Sequence, residues 1–315
     1  MDTLRRVNKL SIIVPVYYNE ENLYPLYESL KNEIFEKIDY SCEVLMVNDG
    51  SLDRSWEIIE ELSEKDERIR GIKLSRNFGS HAAILCGLSN STGDCAVVKA
   101  ADLQEPTEMI LEMVEEWKRG NNVVLAVREG REESVSKIAF SNLYYSIVRR
   151  FALNSMPKTG FDVYLVDRKV IDVLDRLDER NSALTCQILW SGFKTKEIRY
   201  TRQARTAGKS RWTLRKKIRL VMDTLFSFSY VPITIVSTVG VCSFLGAFIW
   251  GLVVLILRLM NVIEVEGWTT LFIFSLGSFG ITMLTLGILG EYLWRTFDAS
   301  RNRPPYIVEE ETKKM

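Results

Sequence analysis

Hydrophobic positions along this chain change their period from segment to segment. Leu10 to Val16 is a short run rich in β-branched residues, ending at Pro15 and a polar turn, and it predicts a strand. Glu20 to Phe35 takes helical spacing, with Leu23, Leu26, Leu30 and Ile34 on one face. Glu43 to Val47 predicts a second buried strand. After it comes the turn Asn48-Asp49-Gly50-Ser51, and Ser51 or Asp53 can cap a helix that turns Trp56, Ile59 and Leu62 inward. The alternation continues with a strand at Gly71 to Leu74, a helix at His81 to Leu88 and a strand at Ala96 to Lys99. A helix from Pro106 to Trp117 and a strand at Val123 to Val127 follow. Strands alternating with helices imply a mostly parallel sheet between helical layers, an α/β domain of three layers.

Near the C-terminus the pattern changes. Val231 to Leu257 and Trp268 to Leu293 are almost continuously apolar. At about 25 residues and ~1.5 Å per residue, each crosses a hydrocarbon core about 30 Å thick. Both exceed the usual length of a globular helix, which argues against a pair of buried core helices. They read as a transmembrane hairpin, with Trp250, Trp268, Tyr292 and Trp294 available as interfacial anchors, Trp250 lying deepest in its run. Arg202, Arg205, Lys209, Arg211, Arg215, Lys216, Lys217 and Arg219 precede the first run, and Arg295, Arg301 and Arg303 follow the second. The linker has Arg258 at a helix end, set against Glu264 and Glu266, so the positive-inside rule puts both chain ends in the cytoplasm and the linker outside. Met1 to Lys9 is polar and leads straight into a strand, unlike a signal peptide. The expected divisions are a cytoplasmic domain 1–210, a basic juxtamembrane segment 211–230, spans at 231–257 and 268–294, an external linker 258–267 and a cytoplasmic tail 295–315. The setting expected is a membrane; that it is a bacterial plasma membrane is implied only by the resemblance described below.

Composition narrows the chemistry. Lys plus Arg and Asp plus Glu both number 41, so no global field favours nucleic acid; the basic excess is local and juxtamembrane. The five cysteines are scattered without a C-x-x-C pair, and His81 is the single histidine, which disfavours a zinc site or disulfide framework. In mostly parallel sheets ligands bind at the carboxyl ends of strands. The polar clusters Tyr17 to Glu20, Asn48 to Ser51, Arg76 to Gly79 and Asp102 to Glu105 fall there. None contains G-x-G-x-x-G or a Walker pattern, which disfavours a dinucleotide-binding domain or a P-loop ATPase.

These clusters also carry a resemblance. Ile13-Val14-Pro15-Val16-Tyr17, Val47-Asn48-Asp49-Gly50-Ser51-Leu52-Asp53, Arg76-Asn77-Phe78-Gly79 and Ala101-Asp102-Leu103-Gln104-Glu105-Pro106 together resemble family 2 glycosyltransferases of the GT-A fold. More narrowly, the chain resembles polyprenyl-phosphate glycosyltransferases, the group that includes dolichyl-phosphate mannose synthase and the bacterial undecaprenyl-phosphate glucosyl and aminoarabinosyl transferases. Gly160 to Arg168 resembles that group's acceptor-side strand, and Gly208-Lys209-Ser210-Arg211-Trp212 its G-x-S-[KR] segment. Gly290-Glu291-Tyr292-Leu293 and Asn302 to Tyr306 resemble the bacterial C-terminal pattern.

The resemblance implies inverting transfer of a sugar from a nucleotide-sugar, with UDP the better expectation, to a polyprenyl phosphate for cell-envelope glycans. A divalent cation, Mg²⁺ or Mn²⁺, would stabilise the departing diphosphate, with Asp102 as its protein ligand. The family's fuller D-x-D places a second Asp where this chain has Ala100, leaving one fewer carboxylate. Donor contacts are expected from Pro15, Tyr17, Glu20, Asp49, Arg76, Ala101, Asp102 and Gln104. Asp162 is the expected acceptor-side carboxylate, either as general base or as a charge set beside the sugar carbon. A lipid phosphate is already mostly ionised at pH 7, so it needs little deprotonation. Arg128, Arg131, Arg202, Lys209 and Arg211 are the expected cations for the acceptor phosphate. Ser134 to Leu153 reads either as an amphipathic helix lying on the bilayer or as a core helix.

Rival readings are a processive polysaccharide synthase and a non-catalytic nucleotide-sugar-binding scaffold. Arg211-Trp212 is present, but Gly208 departs from the synthase Q-x-x-R-W pattern and one hairpin cannot enclose a polymer channel. Retained Asp49, Asp102 and Asp162 argue against the scaffold. Gly240, Gly246, Gly251, Gly277, Gly280, Gly287 and Gly290 would permit close helix packing, within the hairpin or in a homo-oligomer.

Overall fold

The computed structural model describes residues 4–129, 145–177, 183–201, 222–260 and 267–312. The elements are β1 (Lys9–Val16), α1 (Glu20–Leu30), β2 (Ser41–Asn48), α2 (Ser55–Lys65), β3 (Ile69–Leu74), α3 (Ser80–Ser89), β4 (Cys95–Val98), α4 (Met109–Lys118) and β5 (Val123–Arg128). They continue with β6 (Phe161–Asp167), α5 (Arg168–Arg176), α6 (Leu184–Trp190), β7 (Thr195–Tyr200), α7 (Val231–Leu259), α8 (Trp268–Ser300) and β8 (Val308–Glu311). The chain divides into two compact units, residues 1–221 with 304–315, and residues 222–303.

In the first unit an eight-stranded sheet runs β7-β5-β6-β4-β1-β2-β3-β8. Strands β4, β1, β2 and β3 are parallel, as are β5 and β7, while β6 and β8 run antiparallel to their neighbours. This is the mostly parallel α/β domain expected. Its central strands are apolar on both faces because helices cover both: Leu10, Ile12, Ile13, Val14, Val44, Leu45, Met46 and Val47 are all fully buried.

Several boundaries differ from the periodicity. The helix expected over Glu20 to Phe35 is α-helical only to Leu30 and continues as a π-helix, Lys31–Phe35. That wider turn keeps Ile34 buried and brings a Glu33 carboxylate oxygen within 3.0 Å of the Glu108 N–H. The helix expected from Pro106 becomes regular only at Met109. Its first turn is closed by tighter bonds, Ile110 N–H to Thr107 O and Leu111 N–H to Glu108 O, because a starting helix has no earlier carbonyls to use. The tail beyond α8, which shows no apolar pattern, supplies β8. It covers the edge of β3, and Arg70 and Lys73 of β3 meet Glu311 and Glu310 of β8 at 2.7 and 3.3 Å.

The second unit holds α7, 29 residues, and α8, 33 residues. Both contain windows long and apolar enough to cross a membrane, and neither window is buried inside the protein. Phe244, Phe248, Ile249, Phe274, Leu284 and Leu293 are exposed around these helices, unlike the side chains of a core helix, and this suggests association with a membrane. At ~1.5 Å per residue α8 spans about 50 Å, longer than a hydrocarbon core of ~30 Å is thick, and its C-terminal end is polar. Arg295 lies on that end and meets Asp223 at 2.8 Å and Glu291 at 3.0 Å. A Cβ added at Gly240, Gly246, Gly251, Gly277, Gly280, Gly287 or Gly290 meets nothing within 4 Å, so the hairpin's own packing does not require these glycines.

Candidate active site

The sheet reverses its winding between β1 and β4, and the crevice at their carboxyl ends is the topological switch point. Pro15 lies there. The Lys99 N–H donates to Ile13 O and the Asp49 N–H to Val16 O, so alternate residues of β1 serve β4 and β2. The nitrogen of Pro15 faces the β4 side beyond the last paired residue, Ile13↔Val98, where a missing donor costs no ladder bond.

Two loops beside this crevice are laced together. The Tyr17 N–H donates to Asn19 Oδ1 at 3.0 Å, Tyr18 N–H to Ser51 Oγ at 3.0 Å and Asn19 N–H to Ser55 Oγ at 3.0 Å. Tyr18 adopts φ 55°, a strained region for a side chain of its size. Glu20 opens α1, and its carboxylate accepts the Arg54 N–H at 2.9 Å at the start of α2.

Asp49 ends this lacing and is only 2 % exposed. Its carboxylate accepts the N–H groups of Phe78 at 2.7 Å and Gly79 at 3.0 Å, fixing the Arg76 to Gly79 loop. Burial pushes its carboxyl above the ordinary range, while the two N–H groups and Arg76 oppose that shift. Gly50, at φ 66°, permits the approach: a Cβ there would lie 2.5 Å from the Arg76 carbonyl carbon. Arg76 is exposed, with its guanidinium stacked over the Phe78 ring at 4.0 Å.

The loop after β4 carries Ala100, Ala101, Asp102, Leu103 and Gln104. Asp102 is half-buried and its Oδ1 lies 3.5 Å from the Gln104 N–H, while Leu103 takes φ 56° and Ala101 is buried. Beneath the loop is a lysine that the periodicity treats as an ordinary strand residue. Lys99 is 1 % exposed, and its Nζ donates to Glu105 O at 2.8 Å, bridging the base of the loop. Burial lowers its pKa, and the carboxylates of Glu105, Glu33 and Asp102 oppose the shift. The only signal in the sequence is a charged residue closing an otherwise apolar strand. Among the described residues no group of three or more His, Cys, Asp or Glu side chains could hold a metal ion. On the loop itself Asp102 has Ala100 two positions before it, so no second carboxylate stands at that position.

Asp162 and Arg128 meet across the antiparallel β5–β6 pair as an ion pair. Arg128 also donates from Nε to the Tyr200 hydroxyl at 3.3 Å. Arg131, Arg202, Arg205, Lys209, Arg211 and Arg215 to Arg219 lie outside the described residues, as do 134–144 of the amphipathic segment and the linker 261–266. Residues 145–151 of that segment are largely helical, with Val148 buried and Phe151 exposed.

Comparison with known proteins adds to this geometry. Residues 11–164, which contain the polar clusters at the strand ends described above, match glycosyl transferase family 2. The chain is 39 % identical over 300 residues to an uncharacterized glycosyltransferase, YkcC, of Bacillus subtilis, covering 95 % of this chain and 93 % of that one. It is 31 % identical to the prophage bactoprenol glucosyl transferase homolog of Escherichia coli, covering 96 % and 98 % of the two chains. With the bactoprenol glucosyl transferase of Shigella phage SfV the identity is 30 %, covering 97 % of this chain and all of the other.

Proposed function

The chain belongs to glycosyl transferase family 2, and on that premise we propose that it transfers a sugar from a nucleotide-sugar to a polyprenyl phosphate at a membrane surface. One observation carries the reading. The likeness to bactoprenol glucosyl transferases runs from end to end, so it includes both apolar helices as well as the sheet. A lipid acceptor explains why a sugar-transfer domain is joined to a hairpin of membrane-spanning length.

The donor belongs at the β1/β4 crevice. Tyr17 and Pro15 form one wall, and Asp49 and Arg76 approach the nucleoside and diphosphate from β2 and β3. Asp102 and Gln104 face the diphosphate from the loop after β4. A divalent ion, Mg²⁺ or Mn²⁺, held by Asp102 and completed by phosphate and water oxygens, would neutralise charge on the departing diphosphate. The chain's own part is to fix that loop, which Lys99 does from below. On the acceptor side Arg128 binds the lipid phosphate, aided by Arg131, Arg202, Lys209 and Arg211. Asp162 lies beside the sugar carbon, where positive charge grows as the bond to the diphosphate breaks. A single displacement inverts the anomeric centre. The basic flanks of the hairpin support a cytoplasmic catalytic domain and tail, with the linker on the opposite face. The glycine-bearing faces of α7 and α8 are where a second copy would pack.

The test is transfer of radiolabelled sugar from a panel of UDP- and GDP-sugars to undecaprenyl phosphate. Label should enter a solvent-extractable lipid as a single sugar. Growth of a polymer would favour the synthase reading, and donor binding without transfer would favour the scaffold.

A further inference from the structure

Asp162 owes its position to an irregularity in the sheet. Along β5 and β6 the register runs Leu125↔Tyr164 and Ala126↔Val163, then jumps to Val127↔Phe161, so Asp162 has no partner across this ladder. A bulge of this kind bends the strand and re-aims the extra side chain. Here it makes Asp162 the one exposed residue of β6 and sets its carboxylate against the guanidinium of Arg128.

The two partners are not held alike. The Arg128 side chain is 14 % exposed and is braced from β7 by the Tyr200 hydroxyl, directly across the ladder. The Asp162 side chain is 48 % exposed and stands at the rim. Arg128 is therefore the better-held partner of the two.

We propose that this pair is a latch on the acceptor site: without lipid, Asp162 occupies the face of Arg128 that the acceptor phosphate takes, and phosphate binding releases Asp162 toward the sugar. The inference rests on the reading of Arg128 as an acceptor-phosphate residue. A half-exposed carboxylate–guanidinium contact contributes little, because water screens it. A phosphate brings more charge and three acceptor oxygens to the same planar fork. The exchange is favourable, and the latch lowers acceptor affinity by the fraction of molecules in which it is closed. No covalent bond changes in this step. One anion replaces another on Arg128, and the displaced carboxylate carries its negative charge into the site only once an acceptor is present.

A latch makes a prediction that a simple positioning role does not: removing the carboxylate tightens acceptor binding even where it slows transfer. Calorimetric titration of the full-length protein in detergent micelles with a short-chain prenyl phosphate, without nucleotide-sugar, measures binding apart from turnover. Asp162→Asn should bind about two- to sixfold more tightly than the natural protein, the range that a weak half-exposed pair allows, and Asp162→Ser should behave the same way. Arg128→Gln should bind at least tenfold more weakly, and adding Asp162→Asn to it should restore nothing. Equal or weaker binding by both Asp162 variants overturns the latch and leaves the acceptor assignment standing. Unchanged binding by Arg128→Gln overturns that assignment and the latch with it.

Discussion

The Asp49 carboxylate accepts the Phe78 N–H at 2.7 Å, across 29 positions of sequence, and thereby ties the end of β2 to the loop that carries Arg76. Its other oxygen takes the Gly79 N–H at 3.0 Å. A carboxylate oxygen has a second lone pair, so holding this loop is compatible with accepting a further N–H from a nucleoside base. Asp49→Asn offers a single acceptor and turns its NH₂ toward a backbone N–H. The expected result is a donor KM raised about tenfold, with a stability loss of about 1–3 kcal/mol for the unsatisfied buried group. Donor kinetics and thermal unfolding of the same preparation check this. A lowered melting temperature with donor KM unchanged would confine Asp49 to a structural role.

Much of this arrangement was legible in the hydrophobic pattern, for a physical reason. Strands buried on both faces, such as Ile12 to Val14 and Val44 to Val47, must be apolar throughout, and their polar ends must lie at the carboxyl edge. What escaped the pattern depends on partners distant in sequence. β8 reads Val-Glu-Glu-Glu and becomes a strand because Arg70 and Lys73 lie opposite, and Arg70 and Glu311 are 241 positions apart. Lys99 stays buried because the main-chain carbonyl of Glu105 accepts its ammonium and the carboxylates of Glu105, Glu33 and Asp102 are near enough to favour its charge. The bulge at Asp162 follows from a register jump between strands, which no single-strand periodicity records.

Asp102 is the carboxylate proposed to hold the metal, and Ala100 leaves it without the companion of a full D-x-D. Asp102→Ala should lower turnover at least 100-fold, about 2.7 kcal/mol of transition-state stabilisation. Chelation should abolish activity in the natural protein and change little in the variant. Full activity in excess EDTA would refute the metal-dependent route.

The hairpin makes a topological prediction. Cysteine placed at Asn261 or Glu264 should react with an impermeant maleimide in intact cells, while a reporter fused after Met315 should signal from the cytoplasm. Labelling of Glu264→Cys only after permeabilisation would reverse the orientation and separate the catalytic domain from its cytoplasmic donor.

His81 gives a pH dependence of stability. Its Nδ1 accepts the Leu184 N–H at 3.0 Å, so the ring is neutral in the fold with its proton on Nε2, and burial lowers its pKa. Between that lowered value and the ordinary value near 6.5, the unfolded chain binds the extra proton and the folded chain does not. This contribution is fully present above about pH 6.5 and is lost as pH falls below it. His81→Asn can still accept the Leu184 N–H through Oδ1 but does not titrate. Melting temperatures from pH 5 to 8 should fall less on the acid side for the variant; parallel curves would show that His81 is not the titrating group.

Asp162 is where the general-base and charge-stabilising roles separate. A base is needed only if the acceptor must lose a proton, and a lipid phosphate with a second pKa near 6 has mostly lost it by pH 7. If Asp162 acts by its charge beside the sugar carbon, Asp162→Asn should lose at least 100-fold in turnover, because an amide supplies no negative charge. The residual activity should still rise through about pH 6 with ionisation of the phosphate and stay level above pH 7. If Asp162 is instead a true general base, the variant's rate should climb into alkaline pH as hydroxide replaces the missing base. Turnover of both proteins from pH 5 to 9 at saturating acceptor separates the two. Saturation matters, since the proposed latch would make Asp162→Asn change acceptor affinity as well as the chemical step. A level profile above pH 7 with a depressed plateau assigns Asp162 to the charge at the sugar carbon, and a steep alkaline rise assigns it to proton removal.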